Sequence, residues 1–167
     1  MSDGCVAFLS VGSNLGDRKN NIALALDRLR RAGVGVTRVS SVFETEPVGV
    51  ASQPWFLNIA VEVETRLPAR DLLEICLETE HSLGRVRTSP GAPRILDMDI
   101  LLYDTLIVDG PSLRIPHPRM TGRRFVLEPL AQIAPDAIHP VSNMTIRDLL
   151  GSCKDPAQVH YHSELPE

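Results

Sequence analysis

The sequence predicts an α+β fold, a mainly antiparallel sheet with helices packed on its faces, and three patterns carry that reading. Residues 55–65 alternate strictly, with Leu57, Ile59, Val61 and Val63 on one side and Phe56, Asn58, Ala60, Glu62 and Glu64 on the other, as a strand requires. Two stretches with apolar residues at helical spacing each stop at a glycine, Gly33 and Gly84. The run 95–103 is apolar except for two aspartates, which marks a buried strand.

The remaining elements follow in chain order. Residues 5–11 form a first strand that ends in the loop Gly12-Ser13-Asn14-Leu15-Gly16-Asp17. Asp17 is placed to cap a helix whose one face carries Ile22, Ala25, Leu26 and Leu29. Residues 36–46 read as one second strand, broken by Pro47 and Gly49, and the 55–65 strand comes third. Pro68 opens a second helix bearing Leu72, Leu73, Cys76 and Leu83. After the aspartate strand, two short strands at 106–108 and 113–115 flank the Asp109-Gly110 turn signal. A helix over 124–133 and a last one over 145–150, with Thr145 and Asp148 spaced as a capping box, complete the core. The polar tail after Gly151 is expected to be loosely ordered, with His160 and His162 in solvent rather than on a metal. The order β-α-β-β-α-β is that of a ferredoxin-like sandwich, in a single domain over 1–167 with its core at about 5–150.

Composition narrows the function. The chain has 167 residues with 43% hydrophobic content, enough for a proper core in one domain. No apolar stretch approaches a membrane span, the N-terminus lacks the basic start of a signal peptide, and three unpaired cysteines fit a reducing cytoplasm. A net charge of −4 argues for neither nucleic acid nor membrane as a partner, and no obligate protein partner is evident. Charge is unevenly placed, however. Segments 84–94 and 112–127 hold three and four arginines with no acid, and of the seventeen lysines and arginines only Lys19 and Lys154 are lysines. Arginine's planar fork suits bidentate phosphate binding, so these segments point to a polyphosphate site or else to a solvated basic face.

Asp97 and Asp99 are the most informative pair. Two apart on a strand, they project from one face, where two bare carboxylates would repel each other. Either a hard divalent cation such as Mg²⁺ sits between them and phosphate oxygens, or both are paired with arginines. Phe56 and Asn58 share the polar face of their strand, where a flat ring beside an amide suits a planar heterocycle, the alternative being ordinary structural satisfaction. Glycine-cradle phosphate loops, dinucleotide fingerprints, zinc patterns and serine-nucleophile signatures are all missing. Phosphoryl transfer does not need them, since positioning and charge neutralisation carry most of its catalysis.

Taken in order, several segments resemble one family. They are Val11-Gly12-Ser13-Asn14-Leu15-Gly16, Ser41-Val42-Phe43-Glu44-Thr45-Glu46-Pro47-Val48-Gly49 and Gln53-Pro54-Trp55-Phe56-Leu57-Asn58. Gly84-Arg85-Val86-Arg87, Pro93-Arg94-Ile95-Leu96-Asp97-Met98-Asp99-Ile100 and Ile115-Pro116-His117-Pro118 with Arg123 and Phe125 follow. The family is 6-hydroxymethyl-7,8-dihydropterin pyrophosphokinase of folate biosynthesis. The resemblance implies transfer of diphosphate from ATP, the co-substrate, to the pterin hydroxymethyl group, with release of AMP. It also implies two Mg²⁺ ions on Asp97 and Asp99, and Arg85 and Arg94 as catalytic charges. Glu80, Arg87, Ile100, Arg114, His117 and Arg123 would surround the nucleotide. Phe56 and Phe125 would sandwich the pterin, with Thr45, Asn58 and the backbone of Glu46 and Val48 reading its edge. The resemblance further suggests a lid over 84–93 whose arginines are solvated until closure. That stretch departs from the family in being shorter and lacking a usual arginine and tryptophan; Leu77 replaces a glutamine and Pro118 an aromatic residue. A nucleotidyltransferase, which would release diphosphate, and a non-catalytic ligand-binding module are the rivals.

Overall fold

A computed structural model describes residues 3–49, 52–85 and 91–166 of the chain. Its elements are β1 (Cys5–Ser13), α1 (Arg18–Arg31), β2 (Gly35–Val39), β3 (Val42–Thr45), β4 (Phe56–Thr65), α2 (Ala69–Ser82) and β5 (Asp97–Tyr103). They continue with β6 (Val108–Asp109), β7 (Arg114–Ile115), a 3₁₀ turn at Met120–Gly122, α3 (Arg124–Ile133), α4 (Ile146–Gly151) and β8 (Val159–Ser163). The sheet is antiparallel with strand order β5-β1-β4-β3-β8, and β2 joins β4 beside β3. Among the described residues no helix is long and apolar enough to cross a membrane.

Local chemistry sets the helix limits. Asp17 accepts the Asn20 amide at the start of α1, and Arg28, Arg30 and Arg31 lie in its last turn, where the macrodipole favours cations. Gly33 then takes a φ of +84°, which suits glycine best. Thr145 caps α4 through the Asp148 amide.

The sheet buries both faces. Leu9, Val11, Leu57, Ile59 and Val61 pack against Ile22, Leu26, Leu29, Leu72 and Cys76 of α1 and α2. On the other face Phe8, Ala60, Leu101 and Leu102 meet Met120, Leu127 and Leu130, with Ile146 and Leu149 of α4 behind. A register shift at Phe8/Leu9 against β5 lets Leu101 and Leu102 both join this second core. Near the N-terminal end of α3 the second face is left open. There Asp97 of β5 pairs with Gly12 of β1, and Gly12 pairs with Asn58 of β4, in one row across the sheet.

Three expectations need correction. The single strand over 36–46 is two strands, because Ser40 interrupts it: its hydroxyl accepts the Ala60 amide and donates to the Ser41 carbonyl in place of a regular ladder. The tail is not loose. Residues Val159–Ser163 form β8 on the free edge of β3. The aspartate strand starts at Asp97 rather than 95, and the short pair lies at Val108–Asp109 and Arg114–Ile115.

Candidate active site

A cleft of about 220 Å³ opens on the second face, lined by Thr45, Glu46, Val48, Gln53, Phe56, Asn58, Gly91, Ala92, Arg94, Asp97, Arg119, Arg123 and Phe125. One wall is apolar with a polar rim. Phe56 comes from the start of β4 and Phe125 from the first turn of α3, where Arg123 lies 5.5 Å from the ring centroid. Asn58 is 4% exposed, and its Nδ2 donates to Thr45 Oγ1 at 2.7 Å. That fixes the amide's orientation and leaves Oδ1 and one hydrogen for a ligand. Gly12 keeps this space open. A Cβ there would fall well inside contact with Asn58 Oδ1 and 3.2 Å from its Cγ.

The opposite wall is charged. Arg85 Nη1 donates to Glu80 Oε2 at 2.6 Å and to Asp97 Oδ1 at 2.9 Å, while Arg94 Nη1 donates to Asp97 Oδ2 at 2.7 Å. Glu80, 3% exposed, also accepts the Met98 amide at 2.8 Å and so locks the arginine against β5. Asp97 therefore has the arginine pairing weighed from the sequence, and Asp99 does not. Among the described residues the basic group paired with Asp99 is His117, with Nε2 4.0 Å from Oδ2, and the charges of Arg123 and Arg94 act on it from farther off. Burial, then the charges of Arg123 and Arg119, hold His117 down at about 4, so the ring is neutral near pH 7. Its Nδ1 accepts the Arg119 amide at 3.1 Å, which puts the ring proton on Nε2. Burial, then the carboxylates of Asp97 and Glu80, push Asp99 up to about 7. A hard cation would relieve that crowding. Among the described residues no three His, Cys, Asp or Glu groups come together as a metal cage.

Asn14 ties the two walls together. Its side chain, buried in the loop after β1, donates to Gln53 Oε1 at 2.8 Å and to the Pro54 carbonyl at 3.0 Å. Its Oδ1 accepts the Arg94 amide at 2.7 Å, and its own amide donates to the Arg94 carbonyl. Gln53 in turn donates to the Gly91 carbonyl at 2.7 Å. Arg94 and the loop before β4 are thus held by one asparagine.

Other expected residues are placed differently. Arg87 lies outside the described residues, as do residues 86–90 of the expected lid. Arg85 is not solvated: its side chain is only 12% exposed and ion-paired, which corrects the open-state reading of that loop. Ile100 points into the core under α1 and α2, so its side chain is unavailable to a ligand. Arg114 faces solvent beside Asp109 at 3.4 Å and does not line the cleft. The Glu46 amide is taken by the Gln158 carbonyl, leaving only its carbonyl to read a ligand. Gly12, Asn14, Gln53 and Arg119 were not singled out from the sequence. The Gly-Ser-Asn turn at a strand end was the available signal for the first two.

Residues 8–135 match the family model for 7,8-dihydro-6-hydroxymethylpterin-pyrophosphokinase. The 2-amino-4-hydroxy-6-hydroxymethyldihydropteridine pyrophosphokinase of Bacillus subtilis is 46% identical over 77% of this chain and 77% of its own. The folic acid synthesis protein fol1 of Schizosaccharomyces pombe is 39% identical over 87% of this chain, which spans only 20% of that longer protein. Among solved structures, the Plasmodium falciparum HPPK-DHPS with pteroate shares the fold at a TM-score of 0.73 and 16% identity, over 90% of this chain and 42% of that one.

Proposed function

The chain belongs to the 7,8-dihydro-6-hydroxymethylpterin-pyrophosphokinase family, and from that premise we propose that it transfers the diphosphoryl group of ATP, with Mg²⁺, to the hydroxymethyl oxygen of 6-hydroxymethyl-7,8-dihydropterin in folate biosynthesis. The observation that supports this most is a cleft in which Phe56, Phe125 and Asn58 share one lining with Asp97, Arg94, Arg119 and Arg123.

The pterin ring lies between Phe56 and Phe125, and Asn58 with Thr45 reads its amide-like edge. A ligand that leaves the Asn58 amide unpaired is rejected at the full cost of a buried polar group. On the other wall Asp97 and Asp99 would hold Mg²⁺, which when bound would supply positive charge to the phosphates. Arg85 and Arg94 lie 2.9 and 2.7 Å from Asp97, close enough to turn from carboxylate to phosphate oxygens without large movement. Arg119 and Arg123 add positive charge at the nucleotide side of the cleft, and neutral His117 offers its Nε2 hydrogen as an uncharged donor. The hydroxymethyl oxygen attacks the β-phosphorus, forming one O–P bond. The bond from that phosphorus to the oxygen bridging the α-phosphorus breaks, and AMP leaves with that oxygen while the alcohol's proton is released.

Incubation with ATP, Mg²⁺ and the reduced pterin, followed by phosphorus NMR, tests the reading. AMP and a pterin diphosphate in equal amounts are expected. Free diphosphate in place of AMP would make the protein a nucleotidyltransferase, and no nucleotide turnover would make it a binding module.

A further inference from the structure

The segment between β3 and β4 supplies Glu46, Val48 and Gln53 to the cleft, and its ends are tied to Gln158, just before β8, and to His160 of β8. At the first end the Glu46 amide donates to the Gln158 carbonyl at 2.9 Å. The Gln158 amide answers by donating to Glu46 Oε2, also at 2.9 Å. At the second end the His160 ring stacks on Trp55, with centroids 6.2 Å apart and planes 7° from parallel, directly before Phe56. Between them the ladder pairs Val159 with Thr45, the residue that orients Asn58. The strand making these contacts lies beyond residue 135, where the family match stops. β3 has only four residues, and among the described residues between Glu46 and Phe56 none belongs to a strand or helix. A short strand followed by irregular chain needs an outside partner to hold its geometry.

We propose that β8 is a positioning element for the heterocycle side of the cleft, acting through the Glu46 carboxylate, the Gln158 backbone and the His160 ring. The proposal rests on the reading that this cleft takes the pterin. It differs from simple edge-filling in its prediction. A strand that only covers an edge would change stability and leave substrate discrimination alone. A strand that fixes both ends of the pterin-lining segment changes pterin affinity selectively, because Asp97, Arg94 and the nucleotide side hang from β5 and the loop before it.

The test uses full-length variants. Gln158→Pro deletes the donor to Glu46, and Glu46→Ala deletes the acceptor. Each should raise the pterin KM about 3- to 10-fold, the scale of one partly exposed charged hydrogen bond. In Gln158→Pro, a change outside the cleft, turnover number and ATP affinity should stay near wild type, the signature of lost uniform binding. Glu46→Gln keeps an acceptor oxygen and should restore the KM, and the Gln158→Pro, Glu46→Ala double variant should be no worse than either single one. His160→Ala should also raise the pterin KM, with His160→Phe restoring it. Fully additive effects, or an equal loss of ATP affinity, would overturn the proposal. Amide exchange at residues 44–49 gives a readout that needs no substrate. Loss of protection in Gln158→Pro supports the clasp, and unchanged protection refutes it whatever reaction the wild-type protein catalyses.

Discussion

Replacing Gly12 by alanine tests whether the floor of the cleft works as described. The new Cβ would overlap Asn58 Oδ1 and stand 3.2 Å from Asn58 Cγ and 3.4 Å from the Leu57 carbonyl, so the amide must rotate away. Asn58 is buried and Thr45 is its partner at 2.7 Å, so rotation breaks a hydrogen bond that water cannot replace. An unmade buried hydrogen bond costs about 1–3 kcal/mol, and a displaced rotamer adds about 0.5–1.5 kcal/mol. The expected total is about 2–4 kcal/mol, a fall in Tm of about 4–16 °C for a domain of this size. Pterin affinity, measured by calorimetry, should drop by at least about tenfold, since each 1.4 kcal/mol is a factor of ten. ATP affinity should hold, because the arginine contacts lie on the other wall. A Gly12→Ala protein with wild-type Tm and pterin affinity would show that Asn58 is not pinned above Gly12, and the reasoning would fail.

Other perturbations separate the remaining parts. Asp99→Ala should keep the fold and lose about 10²-fold or more in turnover at saturating Mg²⁺, and a folded variant with normal turnover would remove Asp99 from metal binding. Arg85→Ala should lower thermal stability as well as turnover, by about 3 kcal/mol, because it strips a buried partner from Glu80; unchanged chemical denaturation would refute the lock against β5. Asn14→Ala should slow transfer and loosen Arg94 and the 53–54 loop together, detectable as faster amide exchange at both places and at neither if Asn14 is incidental. Burial depresses His139, whose Nδ1 accepts the Val141 and Ser142 amides. The folded state thus binds fewer protons than the unfolded one, so the stability from this turn is present above about pH 6.5 and is lost as pH falls through the depressed folded value. Protection of the amides at 139–144, relative to the intrinsic exchange rate at each pH, that does not fall between pH 7.5 and 5 would exclude this.

The legible parts of the fold are those where one face differs chemically from the other. The alternation in β4 gave its faces correctly because Leu57, Ile59, Val61 and Val63 meet α1 and α2 while Asn58 and Phe56 meet the cleft. Helix ends were readable because Asp17, Gly33 and Thr145 act locally. Long-range contacts were not. Val159-His160-Tyr161-His162-Ser163 has little apolar periodicity, and it becomes a strand only because β3 leaves an edge free more than a hundred residues earlier. The division between β2 and β3 depends on Ser40 meeting Ala60, again a tertiary event. In the site, Asp97 and Asp99 stood out by spacing, yet their different partners did not, because Arg85 and His117 reach them from outside β5. Ile100 and Arg114 differ in setting, the first with its side chain in the core and the second in solvent beside Asp109, which the spacing alone did not reveal.

The register Asp97–Gly12–Asn58 also sets a length. Neighbouring strands lie about 4.8 Å apart, so two steps across the sheet separate the Asp97 end of the cleft from the Asn58 end by roughly 10 Å. Backbone hydrogen bonds, not loops, fix that span, and it cannot stretch to suit a different acceptor. Under the proposed reaction, a pterin whose arm is one carbon longer would push its oxygen about 1.5 Å past the phosphorus. Misplacement of about 1 Å costs on the order of 10²-fold in rate. The sheet would then reject by length an alcohol that the aromatic walls and the Asn58 amide accept equally well.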